Sequence, residues 1–324
     1  MAAETASSVV TVHALNAGHL TLPERFFVTP LINPEERQTV PSLSFLIQHR
    51  APSGTLTRLI FDLGIRRRPQ QYNAKIRKHI ESRYPLSGNP DVVASLAQGN
   101  LTPSDIDCVI FSHVHWDHVG MPCDFPQAQF IVGHGSMALL DGSDALNNGS
   151  HNHFESDLLP LNRTLELRPP DEGIGTHQKA LIPGIRCISN SSWKPFGPLP
   201  HTIDVFSDES VLLVDAPGHL PGHINLLCRV SLEPTRYVYL GGDACHDRRI
   251  LTGEKDIAQW SDPDFPGRIC CIHTGRGKSR ETIKRIRNLE QESLGFGKVE
   301  VVLAHDVHWA DKATRDGRFF PGCL

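Results

Sequence analysis

The sequence has no long hydrophobic run, and none of its stretches nears the roughly 18 consecutive apolar residues of a helical membrane span. Its opening, MAAETASSVVTVHAL, lacks a basic stretch followed by an apolar core, so the expectation is a soluble cytoplasmic chain rather than a secreted one. Paired cysteines are also missing. The eight cysteines (Cys108, Cys123, Cys187, Cys228, Cys245, Cys270, Cys271 and Cys323) contain no CxxC and keep no regular spacing, which argues against a disulfide framework or a cysteine zinc site and for reduced thiols. Nor is there an excess of charge: a net −4 gives no global attraction to nucleic acid or to an acidic membrane surface, and neither is expected as a partner. The basic run IRRRPQQYNAKIRKH is isolated and reads as a solvated helix face. No GxSxG elbow is present to supply a serine nucleophile. TGRGKS at 274–279 is not a phosphate loop, because Ile272 stands where GxxxxGK[ST] requires glycine.

What the sequence does hold is enough apolar material for a buried core, 39% of 324 residues, and a single domain over 1–324 is the expectation. Short β-branched runs recur: SVVTVHAL, SLSFLIQH, TLTRLIFDLG, DCVIFSH, AQFIVGH, SVLLVDAPGH, RYVYLGGD and VEVVLAHD. Gly, Pro, Asn and Asp bound them, as they bound strands. Between them, PQQYNAKIRKHIESRYP and SRETIKRIRNLEQES carry apolar residues at helical spacing, with Ile283, Ile286 and Leu289 on one face of the second. Strands interleaved with helices predict layered α/β architecture. The stretch 136–199 is rich in Gly, Pro, Asn and Ser; it reads as an insertion or long loop, with a short helix at SMALLDG, that builds much of the substrate pocket.

The densest chemistry lies in SHVHWDHV, which follows the apolar CVIF and places His113, His115, Asp117 and His118 within six positions. Three further apolar runs end the same way: LLVDAPGH at His219, VYLGGD at Asp243 and VEVVLAH at His305. Ligands in α/β sheets gather at the carboxyl ends of strands, so the four can converge. Alternation along an extended backbone turns His113 and His115 to one side, while Asp117 and His118 follow in a turn. Such a cluster is costly to bury unless a cation coordinates it, and imidazoles with carboxylates are the donor set of Zn²⁺.

HVHWDH, followed by the first His of PGHLPGH, the Asp of GGDACH and the His of LAHD, resembles the metallo-β-lactamase superfamily from about Val12 to Trp309. The pattern is most similar to its N-acyl homoserine lactonase-like branch. The resemblance implies an αββα sandwich with two metals, zinc first and iron, manganese or cobalt as the other candidates. His113, His115 and His219 then correspond to the ligands of the first metal; Asp117, His118 and His305 to those of the second; Asp243 to the bridging carboxylate. His223 and Asp62 correspond to supporting positions. Acyl homoserine lactonases carry a tyrosine three residues after the bridging Asp, and here His246 stands there, either as a donor or proton carrier or turned elsewhere.

Two metals about 3.5–4 Å apart polarise an acyl carbonyl and generate hydroxide from water, with Asp117 as a candidate proton shuttle. The expected activity is opening of a lactone, acyl homoserine lactone-like or a related cyclic ester. Cleavage of an aromatic or γ-lactam, or of an acyl thioester, uses the same site and remains an alternative. A non-enzymatic metal scaffold is disfavoured because all seven ligand positions are filled. Trp116, His308 and Trp309 are placed either as an aromatic wall of the substrate mouth or as ordinary packing. The partner is a small molecule; sequence does not decide the oligomeric state.

Overall fold

The structure is a computed structural model that describes residues 8–144, 146, 152–171, 192–262, 265–292, 295 and 297–324. Cys187 and much of the 136–199 stretch lie outside the described residues. Among those described, seven cysteines are free and none is in a disulfide.

Two six-stranded sheets stack face to face. In the first, Val10–Pro23, Arg37–Arg50 and Leu56–Phe61 pair antiparallel, and Cys108–Ile110, Gln129–Val132 and Thr164–Glu166 continue the sheet in parallel. In the second, the order is Lys298–Val302, Thr235–Leu240, Ile224–Leu232, Val211–Asp215, Leu199–Asp204 and Lys194–Phe196, antiparallel except for the first pair. The period of two decides which layer each side chain joins. Cys108 and Ile110 point between the sheets, where they meet Leu213, Leu226 and Leu240. Val109 points outward, under Val92 and Leu96 of the helix Val92–Ala97 and Leu139 of the helix Ser136–Asp141. On the far side, Leu212, Leu227 and Tyr239 face Ile283, Ile286 and Leu289 of the helix Arg276–Glu292. The layers therefore run helix, sheet, sheet, helix.

The sequence assigned the strands correctly in type, and the long helix occupies 276–292 around the expected apolar face. The earlier segment is less regular than expected, holding α-helix only over Ala74–Ile80, between short 3₁₀ turns at Pro69–Gln71 and Glu81–Arg83. Asn73 caps that helix by accepting from the Ile76 N–H at 2.9 Å. The reading of its basic run as solvated holds for Lys75, Arg77 and Lys78 but not for Arg66, which is buried and paired with Glu155. SMALLD is the short helix expected there. No helix among the described residues is long and apolar enough to cross a membrane.

Candidate metal centre and cleft

After the strand Cys108–Ile110 the chain bends at Ser112, is extended at His115 and then turns into the short helix Trp116–Val119. Three loops at the same edge of the sandwich bring the other ligand-type residues. His219 follows the strand Val211–Asp215, Asp243 follows Thr235–Leu240 and His305 follows Lys298–Val302. Gly242 makes the approach of Asp243 possible: its φ of +48° is a left-handed conformation, and a Cβ there would sit 2.7 Å from Ser112 Cβ.

All seven positions singled out from sequence are buried and lie together. His115 Nδ1 is 3.0 Å from both His113 Nε2 and His219 Nε2. Asp243 Oδ2 lies 3.7 Å from each of those two Nε2 atoms. A tetrahedral ion with metal–nitrogen bonds of ~2.0–2.1 Å has ligand–ligand edges of about 3.3 Å, so this donor set fits a zinc-sized cation. A second group sits alongside. Asp243 Oδ1 is 3.2 Å from His118 Nε2 and 3.2 Å from His305 Nε2, and Asp117 Oδ2 is 3.7 Å from the latter. His118 Nε2 and Asp243 Oδ1 are close yet not aligned for a hydrogen bond.

Supporting contacts fix these side chains. Asp62 Oδ1 accepts from the Ser112 N–H at 2.7 Å, and Oδ2 accepts from Ser112 Oγ at 2.7 Å and His118 Nδ1 at 2.9 Å. A proton on His118 Nδ1 leaves the Nε2 lone pair facing Asp243. His305 Nδ1 donates to the Pro41 carbonyl at 2.7 Å, with the same effect. His223 Nε2 accepts from the Asp243 N–H at 3.2 Å, which anchors the backbone of that carboxylate.

Burial, reinforced by neighbouring imidazoles, pushes His113, His219 and His273 well below the ordinary histidine range and holds them neutral. At His118 and His305 burial acts the same way but is outweighed by Asp243, aided by Asp62 and Asp117 respectively, so both are raised. Burial also opposes ionisation of Asp243, yet His118, His305 and His246 hold its carboxyl well below the usual range.

His246 faces the centre: its Nε2 is 3.1 Å from Asp243 Oδ2. Sequence reasoning missed its neighbour His273, which is 1% exposed, with no hydrogen-bond partner for either ring nitrogen among the described residues and its ring centroid 5.0 Å from those of His246 and His219. RICCIHTG contains the same signal as the other motifs, an apolar run ending in histidine, but its strand, Ile269–Cys270, is only two residues long.

The cleft over the centre is narrow, with a free volume of about 20 Å³. Leu20, Leu22, Phe27, Trp116 and Ile272 form apolar walls, and Arg83, Asp117, His246 and His305 supply polar groups. A larger groove of about 730 Å³ beside Arg66 and Glu155 contains none of the ligand cluster. The described part of 136–199 does not wall the smaller cleft; its Phe154 stacks on His115 with ring centroids 5.9 Å apart. The aromatic wall is also only partly as expected. Trp116 lines the cleft, whereas Trp309 packs against Phe45 and Phe319 in the core and His308 is exposed, because the helix Val307–Arg315 carries both away from His305.

No protein-family model matches the chain. Cytochrome P450 monooxygenase mpaDE of Penicillium brevicompactum is 27% identical over 342 residues, covering 97% of this chain but 35% of its own length. Gamma-lactamase FDB1 of Fusarium pseudograminearum is 27% identical over 235 residues, 69% of this chain and 50% of the relative. The chain thus spans about a third to a half of the length of these curated relatives. Among solved structures, AiiA of B. thuringiensis with N-decanoyl-L-homoserine bound at its active site superposes with a TM-score of 0.63, 17% identity, and coverage of 98% of this chain and 100% of that one. The layered sheets, the loops that carry the His/Asp cluster at one edge and this superposition together identify the chain as having the metallo-β-lactamase fold.

Proposed function

We propose that the protein is a metal-dependent hydrolase with a dinuclear centre, zinc first among the candidates, that opens a lactone ring. The observation carrying this reading is the division of Asp243: one oxygen lies nearest His118 and His305, the other faces His113 and His219. One carboxylate addressing two imidazole groups is what a bridging ligand between two cations requires. His113, His115, His219 and Asp243 would hold one ion; Asp117, His118, His305 and Asp243 the other. When bound, the pair supplies Lewis acidity toward an acyl carbonyl and acidifies water at neutral pH.

The chain's own groups supply the rest. Asp62 and the Pro41 carbonyl hold His118 and His305 in one tautomer. Leu20, Leu22, Phe27, Trp116 and Ile272 exclude bulk water from the reacting face. Asp117, at the cleft floor, accepts the proton that water loses as its oxygen bonds to the acyl carbon, and returns it to the ring oxygen as the C–O bond breaks. His246 is the second group able to donate to that oxygen. The γ-lactamase relative favours one alternative, in which the leaving atom is a lactam nitrogen.

The test is acid release from an unsubstituted γ-lactone and a γ-lactam by zinc-loaded protein. Lactone opening supports the reading, lactam cleavage alone moves the protein to the alternative, and no release from either refutes hydrolysis of this ring class.

A further inference from the structure

We propose that Arg83 is a substrate-binding residue, and that the ring opened at the centre carries an anionic oxygen, a carboxylate, held by its guanidinium. The inference deepens the hydrolase reading and rests on it for the identity of the ring. Arg83 ends the 3₁₀ turn Glu81–Arg83 and lines the same cleft as Asp117, Asp243, His246 and His305. It is 4% exposed. Among the described residues its one hydrogen bond is to Ser82 Oγ at 3.3 Å, and it forms no ion pair.

That is unusual within this chain. Buried Arg66 pairs with Glu155 and donates to the Gly120 and Gln71 carbonyls. Buried Arg229 donates to the Ser8 and Asp208 carbonyls and pairs with Glu209. A guanidinium offers five N–H donors, and those that Arg83 leaves unused are not sealed in the core but open at the cleft, where a ligand can take them. The carboxylate whose charge acts on it is Asp117, which the metal site engages. Burial lowers Arg83 to about 10, so it remains a cation at neutral pH.

The surroundings define the ligand. Leu20, Leu22, Phe27, Trp116 and Ile272 form the apolar side of the cleft, and its free volume of about 20 Å³ must widen even for a compact ring, which disfavours a long acyl chain. The fork geometry of arginine selects a carboxylate over a single hydroxyl.

The test uses zinc-loaded wild-type, Arg83→Met and Arg83→Lys proteins. Tetrahydrofuran-2-carboxylate and tetrahydrofurfuryl alcohol, ring analogues without a scissile carbonyl, are titrated by calorimetry. In parallel, kcat/KM is measured for a γ-lactone with and without a ring carboxylate. Loss of a charged hydrogen-bonded contact should weaken carboxylate binding in Arg83→Met by about tenfold to a hundredfold, with the alcohol unchanged and partial recovery in Arg83→Lys. The kcat/KM preference for the carboxylated lactone should fall by a similar factor. Equal affinity of wild type and Arg83→Met for the carboxylate overturns the proposal, as does loss of folding or of zinc in both variants. Arginine-dependent carboxylate binding without lactone opening by the wild type would uphold the site and refute the hydrolase reading.

Discussion

Replacing Asp62 separates ligand orientation from ligand identity, because Asp62 touches neither cation position but holds His118. Asp62→Ala removes the acceptor for three groups at once: the Ser112 N–H, Ser112 Oγ and His118 Nδ1. Asp62 is 1% exposed, so water reaches none of them without local opening. A buried group stripped of its partner costs about 1–3 kcal/mol, and three that share one acceptor are not additive, so roughly 3–5 kcal/mol is expected. Asp62 also adopts a φ of +62°, a conformation that alanine tolerates less well than aspartate. Loss of the Nδ1 partner frees the His118 ring to rotate and change tautomer, which should weaken the second metal by about 10–100-fold. Asp62→Asn keeps the shape and one acceptor but turns its amide toward Ser112 Oγ or His118 Nδ1, so its metal affinity should fall between the two. Urea unfolding of the metal-free proteins gives the stability difference, and chelator competition gives the affinity. Wild-type stability together with metal affinity within threefold of wild type in Asp62→Ala would refute the assignment of Asp62 as the residue that orients His118.

Three further outcomes follow from particular contacts. His246→Ala should lower turnover while both metals are retained by elemental analysis; wild-type kinetics would return His246 to a packing role beside Phe27 and His273. Ile286→Ala, at the centre of the helix face over the second sheet, should cost about 2–4 kcal/mol in urea unfolding with the metal stoichiometry unchanged, and a cost under about 1 kcal/mol would contradict that packing. The Asp208 carboxyl feels burial, which raises it, but hydrogen bonds from His49 and Ser210 outweigh this and hold it below the ordinary range. A depressed carboxylate contributes stability that is present above its unfolded value near 3.8 and is lost as pH falls through that value toward the folded one. Asp208→Asn should therefore flatten the fall in stability between about pH 5 and pH 2; an unchanged acid limb would contradict the pairing.

Much of this fold was legible because its signals are local. The apolar run CVIF, bounded by polar residues, marked a strand, and a period of 3.6 placed Ile283, Ile286 and Leu289 together, before any tertiary contact was known. The His/Asp cluster was legible for a related reason: strand ends in layered α/β folds gather at one edge, so four apolar runs ending in His or Asp can converge on one site. What stayed hidden depends on loops and on chain direction after the motif. His273 follows a two-residue strand that composition does not mark. Arg83 looks like any surface arginine in sequence; only the 3₁₀ turn at the end of its helix tips it into the cleft. Trp309 sits close to His305 in sequence, yet the intervening helix start, capped by Asp306 accepting from the Trp309 N–H at 2.9 Å, turns the indole into the core.

The central claim is that one carboxylate, Asp243, links two cation sites, and metal stoichiometry tests it most directly. Elemental analysis of zinc-loaded wild type should give two metals per chain. In Asp243→Ala the count should fall below one, with loss of activity, while circular dichroism remains that of the wild type. A wild-type content no higher than traces after zinc loading, or two metals retained by Asp243→Ala, would contradict the account.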